Sequence, residues 1–120
     1  MLASVNEQEG GWTQGNYWKV IVDRQGRVVW ASLTSDYRWT LYMRVSDDGK
    51  DLLYDAATWW AWFDNGADST VTRMKIDGTS AETYETPGLH HGYVDLPDRS
   101  IVWGRDQGPD ELLELSLIHI

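Results

Sequence analysis

Two unlike hairpin patterns recur along the chain at almost the same spacing, and this limits the available folds more than any other feature. The first, Lys19-Val20-Ile21-Val22-Asp23-Arg24-Gln25-Gly26, returns as Arg73-Met74-Lys75-Ile76-Asp77-Gly78, with Gly26 and Gly78 52 positions apart. The second, Tyr42-Met43-Arg44-Val45-Ser46-Asp47-Asp48-Gly49 ahead of Leu52-Leu53-Tyr54, returns as Gly92-Tyr93-Val94-Asp95-Leu96-Pro97-Asp98-Arg99 ahead of Ile101-Val102-Trp103, at an offset of 50. Each is a short β-branched or aromatic run that ends in a turn where Asp bonds its own backbone and Gly accepts positive φ. One repeat then holds four strands in about fifty residues, the size of a propeller blade.

Strand signals run through the rest of the chain, and no window sustains a helical period. The segments read as strands are Trp18–Val22, Val28–Leu33, Thr40–Val45, Leu52–Asp55, Val71–Ile76, Glu82–Thr86, Gly92–Leu96 and Ser100–Trp103. The predicted fold is all-β: a β-propeller fragment of about two four-stranded antiparallel blades over residues 17–114, incomplete at both ends, after an irregular lead-in over 1–16. A closed propeller takes at least four blades. The 120 residues are therefore expected to be a piece of a larger ring, with strand edges a complete ring would cover. A free-standing meander or small sandwich is the competing architecture.

The last six residues, Leu115-Ser116-Leu117-Ile118-His119-Ile120, are what a widely used transposase sequencing adapter encodes in this frame. They are set aside as a non-native tail, with a genuine apolar strand as the alternative. His119 then carries no functional meaning.

Composition excludes several functions. The absence of cysteine removes a disulfide scaffold, a thiol enzyme and a cysteine zinc site. Ten basic against nineteen acidic residues give a net charge of -9, which disfavours nucleic acid as a partner. No apolar run is long enough to cross a bilayer, and the first residues lack the basic head and apolar stretch of a signal peptide. Phosphate-cradling glycine motifs, nucleophile elbows and dinucleotide fingerprints are absent, so no cofactor is expected.

Three segments could carry chemistry. His90-His91 follows Pro87-Gly88-Leu89 and opens a strand, so a loop delivers two imidazoles to one strand end, where imidazole can act as nucleophile, base or metal ligand. Adjacent strand residues point to opposite faces, so the pair is not expected to chelate one metal ion, and no metal site is predicted. A structural or solvent-exposed role is the alternative. Trp59-Trp60-Ala61-Trp62-Phe63 could stack on a sugar or aryl ring, or fill a gap between sheets. Asp64-Asn65-Gly66-Ala67-Asp68-Ser69 lacks the spacing of a calcium loop and reads as an acidic turn. Trp18, Trp30, Trp39 and Trp103 read as packing between blades.

At Pro87-Gly88-Leu89-His90-His91-Gly92-Tyr93-Val94-Asp95-Leu96-Pro97-Asp98 the sequence resembles the bacterial aryl-sulfate sulfotransferase family, which carries a recurrent His-His-Asp segment, an apolar strand and a Leu-Pro-Asp-Gly turn. The stretches from Val20 to Trp30 and from Arg44 to Tyr54 resemble its blades, so the likeness spans residues 17–103. Gly92 stands where the family has the acidic residue, and Arg99 where it has the turn glycine.

The resemblance implies a six-bladed propeller, periplasmic or secreted, that transfers a sulfuryl group from an aryl sulfate donor to a phenolic acceptor without a nucleotide donor. It implies a histidine that attacks sulfur, with further cations on the sulfuryl oxygens. His91, directly before the strand in the family segment, is the first catalytic candidate and His90 the second. The isolated chain is expected to be inactive, since such groups gather from several blades. A non-catalytic propeller that binds a glycan or protein partner is the alternative. A quinone-dependent dehydrogenase propeller is a third reading, but no segment supplies its cofactor site.

Overall fold

One device closes the turns. In the computed structural model, which describes residues 1–6, 17–34, 38–57, 68–105 and 114–118, Gly49 N donates to Ser46 O at 2.9 Å, Gly78 N to Lys75 O at 2.8 Å and Arg99 N to Leu96 O at 2.9 Å. In each turn the preceding aspartate accepts the amide two residues on: Asp48 from Lys50 at 3.1 Å, Asp77 from Thr79 at 3.0 Å and Asp98 from Ser100 at 3.0 Å. The chain must then pass through the left-handed region, at φ 75° for Gly49, 74° for Gly78 and 72° for Arg99. Arg99 is the one non-glycine residue at positive φ among those described.

The turns join antiparallel strands: β1 (Leu2–Asn6), β2 (Tyr17–Val22), β3 (Val28–Thr34), β4 (Met43–Val45), β5 (Asp51–Ala56), β6 (Thr70–Lys75), β7 (Ala81–Glu85), β8 (Leu89–Asp95), β9 (Ile101–Arg105) and β10 (Glu114–Ile118). They form three meandering sheets, ordered β1-β2-β3, β4-β5-β6-β7 and β10-β9-β8. Among the described residues the fold is all-β, no sheet closes on itself, and no helix is long and apolar enough to cross a membrane.

Both faces of the middle sheet are covered. On one, Leu53, Ala57 and Val71 meet Leu89, Tyr93, Ile101 and Trp103 of the last sheet, with Tyr84 packed against them. Leu53, Val71 and Ile101 are wholly withdrawn from water, and each aliphatic side chain so buried stabilises the fold by roughly 1.5–3 kcal/mol. On the other face, the Lys19 ammonium of β2 lies 4.3 Å from the centroid of the Tyr54 ring. Neighbouring residues of β5 point to opposite faces, yet Asp51, Leu52, Leu53 and Asp55 are all buried.

The interface between the first and middle sheets is polar. Lys19 Nζ donates to Thr34 Oγ1 at 2.7 Å, the Thr34 and Thr40 hydroxyls are 2.8 Å apart, and Thr40 Oγ1 donates to Asp55 O at 2.7 Å. The Tyr17 and Trp39 rings meet at 6.2 Å beside this chain. The outer face of the same sheet is apolar. Val5, Trp18 and Leu33 are aligned across β1, β2 and β3 and are 50%, 38% and 42% exposed.

Several expectations are corrected. Residues 2–6, expected to be irregular, form β1. They lie along β2 from Leu2 opposite Ile21 to Asn6 opposite Tyr17, anchored by the Met1 amino group on Val22 O at 2.8 Å. The pairing comes from the open edge of β2 rather than from periodicity in Leu2–Asn6. The tail segment Glu114–Ile118 pairs with β9, Leu117 opposite Val102; an apolar, β-prone segment pairs with an open edge whatever its origin. The strand predicted from Thr40 begins at Met43, because the Asp55 carboxylate takes the amides of Leu41 and Tyr42. Trp39 and Trp103 are buried and Trp30 is half-buried, but Trp18 is on the exposed face of the first sheet.

Candidate functional site

The histidine segment is set up by a turn. Leu89 N donates to Thr86 O at 3.0 Å and Gly88 takes φ 73°, the geometry of a type II turn with Pro87 second and glycine third. The Trp103 indole N–H pins the turn from β9 by donating to Pro87 O at 3.2 Å.

From that turn the chain enters β8 out of register. Leu89 faces Arg105 and Tyr93 faces Trp103, so His90, His91 and Gly92 share the space opposite Gly104. Leu89 and Tyr93 on either side are buried in the core. The backbone of both histidines therefore lies on an edge strand, in a bulged stretch held at both ends by apolar anchors. Bulges of this kind re-aim side chains and are over-represented beside active sites. The imidazoles themselves lie outside the described residues, as do Trp59-Trp60-Ala61-Trp62-Phe63 and Asp64 to Ala67. A Cβ added at Gly92 would meet the Tyr42 ring at 3.7 Å, which is ordinary contact. The acidic residue expected there would stand against this ring.

A second concentration of functional groups forms at the other end of β8. The Asp51 carboxylate, 1% exposed, collects three cations: Lys75 Nζ at 2.9 Å, Arg73 at 3.3 Å and Arg99 at 3.5 Å. Burial pushes its carboxyl up, but hydrogen bonds from Lys75 and Arg73 and the charges of Lys75 and Arg99 bring it below the usual value. Arg73 also donates to Arg99 O at 3.2 Å, tying β6 to the β8–β9 turn. Asp95 receives Arg44 at 3.3 Å from β4. This cluster escapes sequence reading because Asp51 meets Lys75 and Arg73 only across the β5–β6 pairing, and Arg99 and Asp95 come from another sheet. Arg99 alone carries a local signal, as the residue replacing a turn glycine.

A third feature centres on Asp55, which lies on the face of β5 that carries Leu53 and stands opposite Val71. Asp55 accepts Tyr42 N at 2.8 Å and Leu41 N at 3.0 Å. Burial raises its pKa to about 7, against the pull of those amides and of the Lys19 charge. Burial likewise lowers the pKa of Lys19, partly offset by the Asp55 charge. The phenol of Tyr93 is pushed far up, first by burial and then by the Asp55 charge, and its O–H donates to Tyr42 O at 3.2 Å. With their partners already placed, these groups join sheets rather than address solvent.

Among the described residues no group of three or more His, Asp or Glu is arranged to hold a metal ion. No protein-family model, curated protein or solved structure matches the chain.

Proposed function

We propose that this chain is a section of a β-propeller, one complete blade between two partial ones, from a protein that transfers a sulfuryl group between phenols through histidine. The observation that carries the reading is the equivalence of the repeated hairpins. The β4–β5 and β8–β9 hairpins each begin a sheet, while β2–β3 and β6–β7 each end one. Unlike patterns in matching places are what successive blades require, and an isolated meander gives no reason for them.

On this reading β4 and β8 are the strands nearest the hub, and His90-His91 open the second of them. His91 is the first candidate and His90 the second. A neutral imidazole nitrogen attacks sulfur, the sulfur–oxygen bond to the donor breaks, and the aryl oxide leaves. The acceptor phenol, losing its proton to a base, then attacks sulfur and frees the imidazole. The partners are an aryl sulfate and a phenolic acceptor, and the compartment is periplasmic or secreted.

The test is sulfuryl transfer from 4-nitrophenyl sulfate to phenol, by the 120-residue chain and by the chain extended with the coding sequence that flanks it. The extended protein is expected to turn over and to lose at least about a hundredfold in His91→Ala; the short chain is expected to be inactive. Turnover by the short chain, or undiminished turnover in His91→Ala and His90→Ala, refutes the reading. An extended protein without transfer leaves a propeller that binds a glycan or protein partner.

A further inference from the structure

We propose that the outer face of the first sheet docks onto the outer face of the last sheet in a second copy of this chain, head to tail. The docking face is apolar throughout. Across β1, β2 and β3 the register aligns Val5, Trp18 and Leu33 in one row and Ala3, Val20 and Ala31 in the next. Neither row holds a charged side chain, and no residue of either row is buried. The opposite face of the same sheet carries Lys19 and Thr34, both buried. The sheet is thus inverted, with its polar side covered and its apolar side open, and an open apolar face of this kind marks an interaction surface.

What covers this face follows from the direction in which the sheets stack. Lys19 and Arg73 hold corresponding places in the repeated hairpins. Lys19 reaches from the first sheet to the Tyr54 ring of the middle one, and Arg73 reaches from the middle sheet to Arg99 O of the β8–β9 turn. Each sheet therefore turns the same kind of face forward, and the next sheet meets it with the other kind. In the last sheet Ile101 and Trp103 look back at Leu53 and Val71. Strand alternation then sends Val94 and Val102, paired across β8 and β9, forward and away from the stack.

The two ends of the stack thus carry one face of each kind, Trp18 looking backward and Val94 forward. A second copy continues, at either end, the packing that already joins the sheets within one chain. The contact is between unlike faces and so is heterologous rather than two-fold symmetric. Net charge of -9 on each copy opposes the approach, but physiological salt confines that repulsion to about 8 Å, and neither row adds a charge to the contact. The proposal draws on the stacking of the repeats and not on the sulfuryl chemistry, so its failure leaves the transfer assay to decide that reading by itself.

Sedimentation velocity of the 120-residue chain tests it, with wild type expected to associate as its concentration rises. Trp18→Lys spoils one face and Val94→Lys the other; both positions are exposed, so the far-ultraviolet circular dichroism of each variant is expected to match wild type. Each variant alone should raise the dissociation constant at least roughly tenfold. An equimolar mixture restores one intact contact, between the first sheet of the Val94→Lys chain and the last sheet of the Trp18→Lys chain. The mixture should therefore associate at least roughly tenfold more tightly than either variant alone. A wild type monomeric at every concentration, association undiminished in Val94→Lys, or a mixture no tighter than its folded components overturns the proposal; the last two outcomes would mean that the first-sheet face meets its own kind or another surface.

Discussion

The Asp55 carboxylate holds the backbone N–H of Tyr42 at 2.8 Å and uses the same oxygen for Leu41 at 3.0 Å, replacing a strand ladder with one side chain. Burial raises its pKa from 3.8 to about 7. The folded state therefore keeps a proton that the unfolded chain releases. That contribution to stability is full below about pH 4 and is lost as the pH rises through about 7. Asp55→Asn retains an oxygen for both amides and cannot ionise. Between pH 5 and 8, wild type is expected to lose stability relative to Asp55→Asn by up to about 2.6 kcal/mol. Urea unfolding followed by tryptophan fluorescence at the two pH values reads the difference; parallel behaviour would show that Asp55 does not titrate there.

Arg99 and Gly49 occupy the same turn position at φ 72° and 75°. An L side chain there costs about 1–2 kcal/mol. Arg99→Gly relieves that cost but gives up ion pairs with Asp51 and Glu82 and loosens the unfolded chain. Its net effect is expected to lie within about 1 kcal/mol of wild type. Gly49→Ala should cost about 1 kcal/mol, all of it in the backbone, since the added Cβ meets nothing within 4 Å. Equal losses in both variants would place the strain elsewhere.

Ile101 and Val94 lie on opposite faces of the last sheet, the first wholly buried and the second 49% exposed. Ile101→Ala should destabilise by about 2–5 kcal/mol and Val94→Ala by no more than about 0.5. Chemical denaturation of the two variants measures both, and a reversed order would put the β8–β9 register off by one residue.

The aligned row of Val5, Trp18 and Leu33 leaves apolar surface in water, and such surface drives association. Trp18→Lys is expected to change the folding free energy by less than about 1 kcal/mol while shifting the chain toward monomer. Sedimentation velocity over a range of concentrations detects this; a chain already monomeric throughout would show that the row does not associate.

Much of the architecture is written locally. β2 and β3 can be placed from β-branched runs, and the turns from their Asp and Gly, because the determinants lie within a few residues of each other. β1 and β10 are harder, since strand order there comes from a neighbour's unused edge. The start of β4 is misjudged from sequence because Asp55, twelve or more residues downstream, competes for its amides. Of the candidate sites, the position of His90-His91 is legible from Pro87-Gly88, whose turn fixes where β8 begins. The ring of cations around Asp51 is not, because Lys75 and Arg73 reach it only once β6 has paired with β5, and Arg99 only after the last sheet has stacked.

In the middle sheet, β5 and β6 have a bonded neighbour on either side and the last sheet packed against one face, and Lys19 covers β5 from the other. A fluctuation that exposes their amides must first detach something else, whereas β1 and β10 can peel away alone. Hydrogen–deuterium exchange should be slowest along β5–β6 and quicken outward, so that the molecule melts as a peeling stack.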